Sequence, residues 1–158
     1  MAQAQDNGYR YIVHMRDHFT KFSWARAIKR KTADNVVEFL YNIFLMFGPP
    51  VILQCDNGKE FSNTSIMKKL GDLWPKLTIL HGRPRYPQSQ GMIERANSIL
   101  ERKIAQWMET HKKTNWTSAL GLIVYTMNCE ISRTTSLSPY QLVFNVPPYK
   151  DRFARRII

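Results

Sequence analysis

The stretch from residue 48 to residue 58 constrains this chain most. Gly48-Pro49-Pro50 closes a helical pattern, Val51-Ile52-Leu53 is apolar, and Gln54-Cys55-Asp56-Asn57-Gly58 turns polar at once. Proline cannot continue a helix and glycine readily caps one, so the first three residues are a stop. A short apolar run bounded by breakers reads as a buried strand of a parallel sheet. Asp56 then stands at a strand end. Further on, Pro84-Arg85-Tyr86-Pro87-Gln88-Ser89-Gln90-Gly91 leads into Met92-Ile93-Glu94-Arg95, which places Glu94 early in another helical pattern. Two carboxylates brought together from a strand end and a helix can hold a divalent metal against a phosphate.

The remaining elements fit around these two. Residues 9–15 are rich in β-formers and read as a strand, 16–18 as a turn, and 19–28 as the second strand of a hairpin. Thr32 can N-cap a helix on which Val36, Val37, Leu40, Ile43, Phe44 and Phe47 recur at helical spacing. Residues 63–70 read as a short helix, 77–80 as a short strand, and 81–90 as a loop. A long helix over 91–111 carries Ile93, Ala96, Ile99, Leu100, Ile104 and Trp107 on its apolar stripe. Another spans 116–128, and Ser138-Pro139 opens a last short one. The order is that of an α/β domain over 1–145, followed by a basic tail or linker start over 146–158.

A chain of 158 residues with 44% apolar composition can build one real core. No apolar run approaches the ~18–20 residues of a membrane span, so no membrane partner is expected. No signal peptide is visible at the N-terminus. Cys55 and Cys129 are the only cysteines, and no Cys or His pair has zinc-ligand spacing. The formal net charge of +11 makes an anionic polymer, DNA or RNA, the simplest partner. A merely solvated basic surface is the plainer alternative. Asn57-Gly58-Lys59-Glu60 lacks the upstream glycine and the Ser/Thr of a phosphate-binding P-loop.

Asp-Asn-Gly-x-Glu-Phe at 56–61 with Pro-Gln-Ser-Gln-Gly-x-x-Glu at 87–94 resembles the second Asp and the Glu of the D,D-35-E integrase catalytic core. Tyr9-Arg10-Tyr11-Ile12-Val13, Asp17-His18-Phe19-Thr20-Lys21-Phe22 and Phe47-Gly48-Pro49-Pro50 look most like the gypsy-type retrotransposon branch and its domesticated vertebrate copies. The resemblance implies a ribonuclease-H-like fold: a mixed sheet flanked by helices, with the first strand central between the second and fourth. It implies metal-dependent phosphoryl transfer on DNA, with Asp56 and Glu94 as catalytic residues holding Mg²⁺ or Mn²⁺. It also implies a homodimer and, for a host-encoded copy, a nuclear location.

The family's first catalytic Asp precedes the segment matching Asp6-Asn7-Gly8-Tyr9, where this sequence reads Met1-Ala2-Gln3-Ala4-Gln5. No acid stands there, so an incomplete triad and a largely missing first strand are expected. Asp6 falls at a turn and Asp17 reads as a turn former. For nucleic acid, the resemblance points to Gln88, Ser89 and Gln90 as a flexible loop beside Glu94. Lys59, Arg83, Arg85 and Arg95 supply charge for phosphates. Ser98 and Glu101 occupy positions where retroviral enzymes commonly carry lysines. Trp24, Trp107 and Trp116 lie on apolar patterns and read as core. Two functions remain open: a DNA-integrating polynucleotidyl transferase, or an inactive remnant serving as a nucleic-acid-binding or dimerising module.

Overall fold

Strands and helices follow one another as β1 (Ala2–Asp6), β2 (Tyr9–Arg16), β3 (Ser23–Ile28), α1 (Ala33–Phe47), β4 (Ile52–Cys55), α2 (Thr64–Leu73), β5 (Thr78–His81), α3 (Pro87–His111), α4 (Trp116–Cys129) and α5 (Pro139–Phe144). They come from a computed structural model that describes residues 2–55, 64–81, 87–133 and 135–149. The chain divides into two units, Met1–Ala27 with Met92–Ile158, and Ile28–Gly91.

In the first unit β1 pairs antiparallel with β2 through an Asn7-Gly8 turn, both residues at positive φ. That two-residue geometry matches the right-handed twist of the strands it joins. Asp6 is the last residue of β1 rather than part of the turn. The next hairpin departs from expectation. Residues 19–22 are not strand, and β3 begins only at Ser23. Asp17 is the cause: its Oδ2 accepts from Phe19 N, Thr20 N and Thr20 Oγ1, and its own N–H donates to the Phe22 carbonyl at 2.8 Å. The local bonds bend the backbone away from a ladder.

The core of this unit forms where Ile12 of β2 meets Leu100, Ile104 and Trp107 of α3 and Trp116, Leu120 and Ile123 of α4. Each such side chain fully removed from water contributes about 1.5–3 kcal/mol before entropy is counted. Trp107 and Trp116 are buried there, as their patterns predict. Asn128, buried on α4, acts as a strand edge for Ser23, accepting its N–H at 2.8 Å and donating to its carbonyl at 2.9 Å. Ser138 caps α5 with a full capping box to Gln141, and Asn145 ends it in the left-handed region.

In the second unit Thr32 accepts from Asn35 N and starts α1, and Gly48, at φ 81, ends it by donating to the Phe44 carbonyl. The buried stripe is Val36, Phe39, Leu40, Ile43 and Phe44. Phe39 takes the place expected for Val37, in keeping with a 3.6-residue period, whereas Phe47, the last helical residue, is exposed. Phe44 meets Trp74 edge-on at 5.2 Å. Strand β4 pairs in parallel with β5, as expected, but its burial alternates: Leu53 and Cys55 are buried and Ile52 and Gln54 are exposed. It is therefore a one-face strand, not a fully buried one.

Parallel and antiparallel pairing are both present, in two sheets, β1-β2-β3 and β4-β5.

Candidate functional site

Helix α3 begins at Pro87, four residues before the expected start. Proline is well suited to a first helical turn, since its fixed φ is helical and its missing N–H has no intrahelical partner there. The backbone of Gln88, Ser89 and Gln90 therefore lies in the first turn of α3 and not in a flexible loop. Glu94 and Arg95 follow on the next turn, both exposed. The Glu94 carbonyl accepts from Ser98 Oγ at 3.1 Å, a back-bond to the preceding turn. Asp56 follows Cys55, the last residue of β4, but it lies outside the described residues, as do Lys59, Arg83 and Arg85.

Glu94 suits a hard cation as one exposed carboxylate. No group of three or more His, Cys, Asp or Glu gathers among the described residues. The two aspartates nearest the family's first position are both committed to the fold. Asp6 is buried, and its Oδ2 accepts from Thr117 N at 2.9 Å and from Thr117 Oγ1 at 2.5 Å, at the first turn of α4. Asp17 holds the turn described above. Burial raises the Asp17 carboxyl, but its bonds from Thr20 and Phe19 outweigh that and leave it below the ordinary value. Neither is placed as a free metal ligand.

A third feature escapes the sequence pattern. Strand β2 sends Ile12 into the core, and alternation puts His14 and Arg16 on the same face. His14 Nδ1 donates to Asn97 Oδ1 of α3 at 2.7 Å, and His14 Nε2 is shielded from water with no partner. Burial lowers the imidazole to a pKa of about 4; the Asn97 bond opposes this and Arg16 adds to it. Arg16 Nε is likewise shielded and unpartnered. Burial, and then the Arg95 guanidinium, push Arg16 below the usual arginine range. From the adjacent turn, Lys21 Nζ donates to the His18 carbonyl and reaches Met92 Sδ at 3.1 Å, one turn before Arg95. The signal that could have found this cluster is the alternation Ile12, His14, Arg16 itself: polar residues on a core-facing register.

Residues 1–87, more than half of the chain, match the family model of the Integrase core domain. Human KRAB-A domain-containing protein 2 is 32% identical over 153 residues, 97% of this chain and 30% of that protein. The Pol polyprotein of Radiation murine leukemia virus (strain Kaplan) is 32% identical over 149 residues, covering 89% and 24%. The Retrovirus-related Pol polyprotein from transposon 412 of Drosophila melanogaster is 29% identical over 152 residues, covering 93% and 12%. The chain thus spans less than a third of the length of these relatives. A simian T-cell lymphotropic virus intasome chain, solved with the PP2A regulatory subunit B56 gamma, superposes with a TM-score of 0.76 at 22% identity, over 90% of this chain and 51% of that one. The HTLV-2 integrase catalytic core domain, solved with magnesium in a trimeric form, gives 0.73 at 15% identity over 89% of each. The fold is that of the ribonuclease-H-like integrase core.

Proposed function

We propose a function from one premise: this chain belongs to the Integrase core domain family, shared with the Pol proteins of retroviruses and retrotransposons. It is a retrotransposon-derived integrase core that binds DNA, and its ancestral reaction is phosphoryl transfer in DNA integration. Asp56 and Glu94 are the carboxylates that would hold Mg²⁺ in this reading. Bound there, the metal would neutralise charge on the phosphoryl group and acidify the attacking hydroxyl or water. The chain's own part is to present oxygen donors from a strand end and from α3, and to position backbone phosphates with Arg95 and its neighbours.

One observation carries the finer reading that residues 1–158 bind DNA without cutting it. Asp6 and Asp17 are both committed to α4 and to the β2–β3 turn. A third carboxylate would have to come from outside these two. The test is Mg²⁺- or Mn²⁺-dependent nicking and strand joining on branched DNA, by this chain and by its Asp56→Asn and Glu94→Gln variants. Retained DNA binding with no nicking in any form is the expected result. Nicking that both substitutions abolish would overturn it and show that another group completes the site.

A homodimer is also part of this reading. What supports it is the exposed apolar end of α1, where Leu45 and Met46 are 63% and 70% exposed. Light scattering after size exclusion decides it; a monomer at all concentrations would exclude this role. A host-encoded copy would act in the nucleus, where its DNA partner lies.

A further inference from the structure

At the end of β2 three cations gather, and none of them is in an ion pair found among the described residues. Arg16 comes from the strand, Lys21 from the turn that follows and Arg95 from α3. A guanidinium Nε removed from water normally has an acceptor, because leaving it without one costs free energy. Here Arg16 Nε has none among the described residues. Arg16 and Arg95 are close enough to act on each other electrostatically, and like charges at close range are repulsive. The contact of Lys21 with Met92 brings a third cation to the same turns of α3. An anion with several oxygens would relieve the repulsion. Guanidinium groups suit phosphate in particular, since their planar fork meets two oxygens at once.

We infer that Arg16, Lys21 and Arg95 form a phosphate-binding edge at the seam of β2 and α3, shaped for a phosphodiester of the nucleic-acid backbone. The inference rests on the DNA-binding reading and deepens it. It adds Arg16 and Lys21 to the interface and assigns Arg16 a geometric role that charge alone does not fill. His14, two residues before Arg16 on the same face, is a reporter for the site.

The experiment is fluorescence anisotropy of a labelled duplex oligonucleotide across a salt series, with the whole chain, Arg16→Lys, Arg95→Gln, and Lys113→Gln as a charge control two residues beyond the C-terminal end of α3. Ring ¹⁵N spectra of His14 are recorded on adding oligonucleotide and, separately, inorganic phosphate. Expected are about tenfold weaker binding for Arg16→Lys and Arg95→Gln. Arg95→Gln also lowers the slope of log affinity against log salt by about 1, and Lys113→Gln has a smaller effect on affinity. Oligonucleotide moves the His14 ring signals of the unsubstituted chain. Binding by Arg16→Lys and Arg95→Gln equal to that of the unsubstituted chain overturns the edge and leaves the DNA reading standing. Absence of any oligonucleotide binding overturns the DNA reading; a His14 response to inorganic phosphate then supports the edge, and silence overturns it too. If Arg16→Lys does not fold, the Arg95→Gln affinity and the His14 response of the unsubstituted chain decide.

Discussion

Beside the start of β2, Asp6 accepts two hydrogen bonds from Thr117, and Trp116 Nε1 donates to the Ala4 carbonyl at 2.8 Å; beside its end, Arg16 Nε and His14 Nε2 have no partner among the described residues. Both places put polar groups on the same sheet and pack them on a helix of the same unit. They differ in what the helix offers. The first turn of α4 has free backbone N–H groups, which a carboxylate satisfies. The second turn of α3 offers Arg95, another cation. A buried polar group that is satisfied fixes architecture, whereas one left open keeps a binding capacity that the fold does not use.

The paired end of β2 should give the largest effect on substitution. Trp116 is 1% exposed and belongs to both the apolar core and the paired end of β2. Trp116→Ala should cost about 3–5 kcal/mol, read by urea denaturation. A loss below about 1 kcal/mol would show that the core collapses around the gap and that the paired end does not hold the unit.

The unpaired end should show itself in pH dependence. His14 has a pKa of about 4 in the folded chain against 6.5 ordinarily. Between those values the unfolded chain takes up a proton that the folded chain refuses. Stability therefore falls as pH drops from 6.5 towards 4, by about 2–3 kcal/mol at the bottom of the window. His14→Gln should flatten this limb. Parallel limbs for the two proteins would mean that the imidazole is solvated after all.

Asp6→Ala leaves Thr117 N and Oγ1 without their acceptor and should cost about 1–2 kcal/mol, while Asp6→Asn, which keeps an acceptor oxygen, costs less. Equal losses for both would point to the charge and not the bonding as the stabilising part. The smallest effect lies in the other unit. Lys69 and Asp34 form a surface pair at 2.5 Å with side chains 52% and 78% exposed. Lys69→Ala should change stability by less than about 1 kcal/mol, which sets the floor against which the other losses are read.

The helices were the most legible part of the sequence. Thr32, Gly48 and the Ser138-Pro139 pair mark their ends through local backbone chemistry, and the stripes of α1 and α3 follow from a 3.6-residue period. The early start of α3 is not legible in the sequence, because Pro87 reads equally as a loop residue and as a first helical residue. Residues 19–22 are not legible as a turn, because Phe22, Trp24 and Ala27 suggest partial alternation over 19–28 while Asp17 binds three groups of the turn.

By itself the sequence determined the α/β order, the helix ends, the basic balance and the two motifs that carry Asp56 and Glu94. Each of these depends on residues near one another in the chain. Tertiary structure decided the rest. Asp6 became a cap for α4 across the unit, and His14 met Asn97, a pair 83 positions apart in the sequence. Arg16 came within electrostatic reach of Arg95, and its Nε has no partner among the described residues. Whether a polar side chain is satisfied depends on what a distant element brings to it. Neither the period of a strand nor the composition of a chain contains that information.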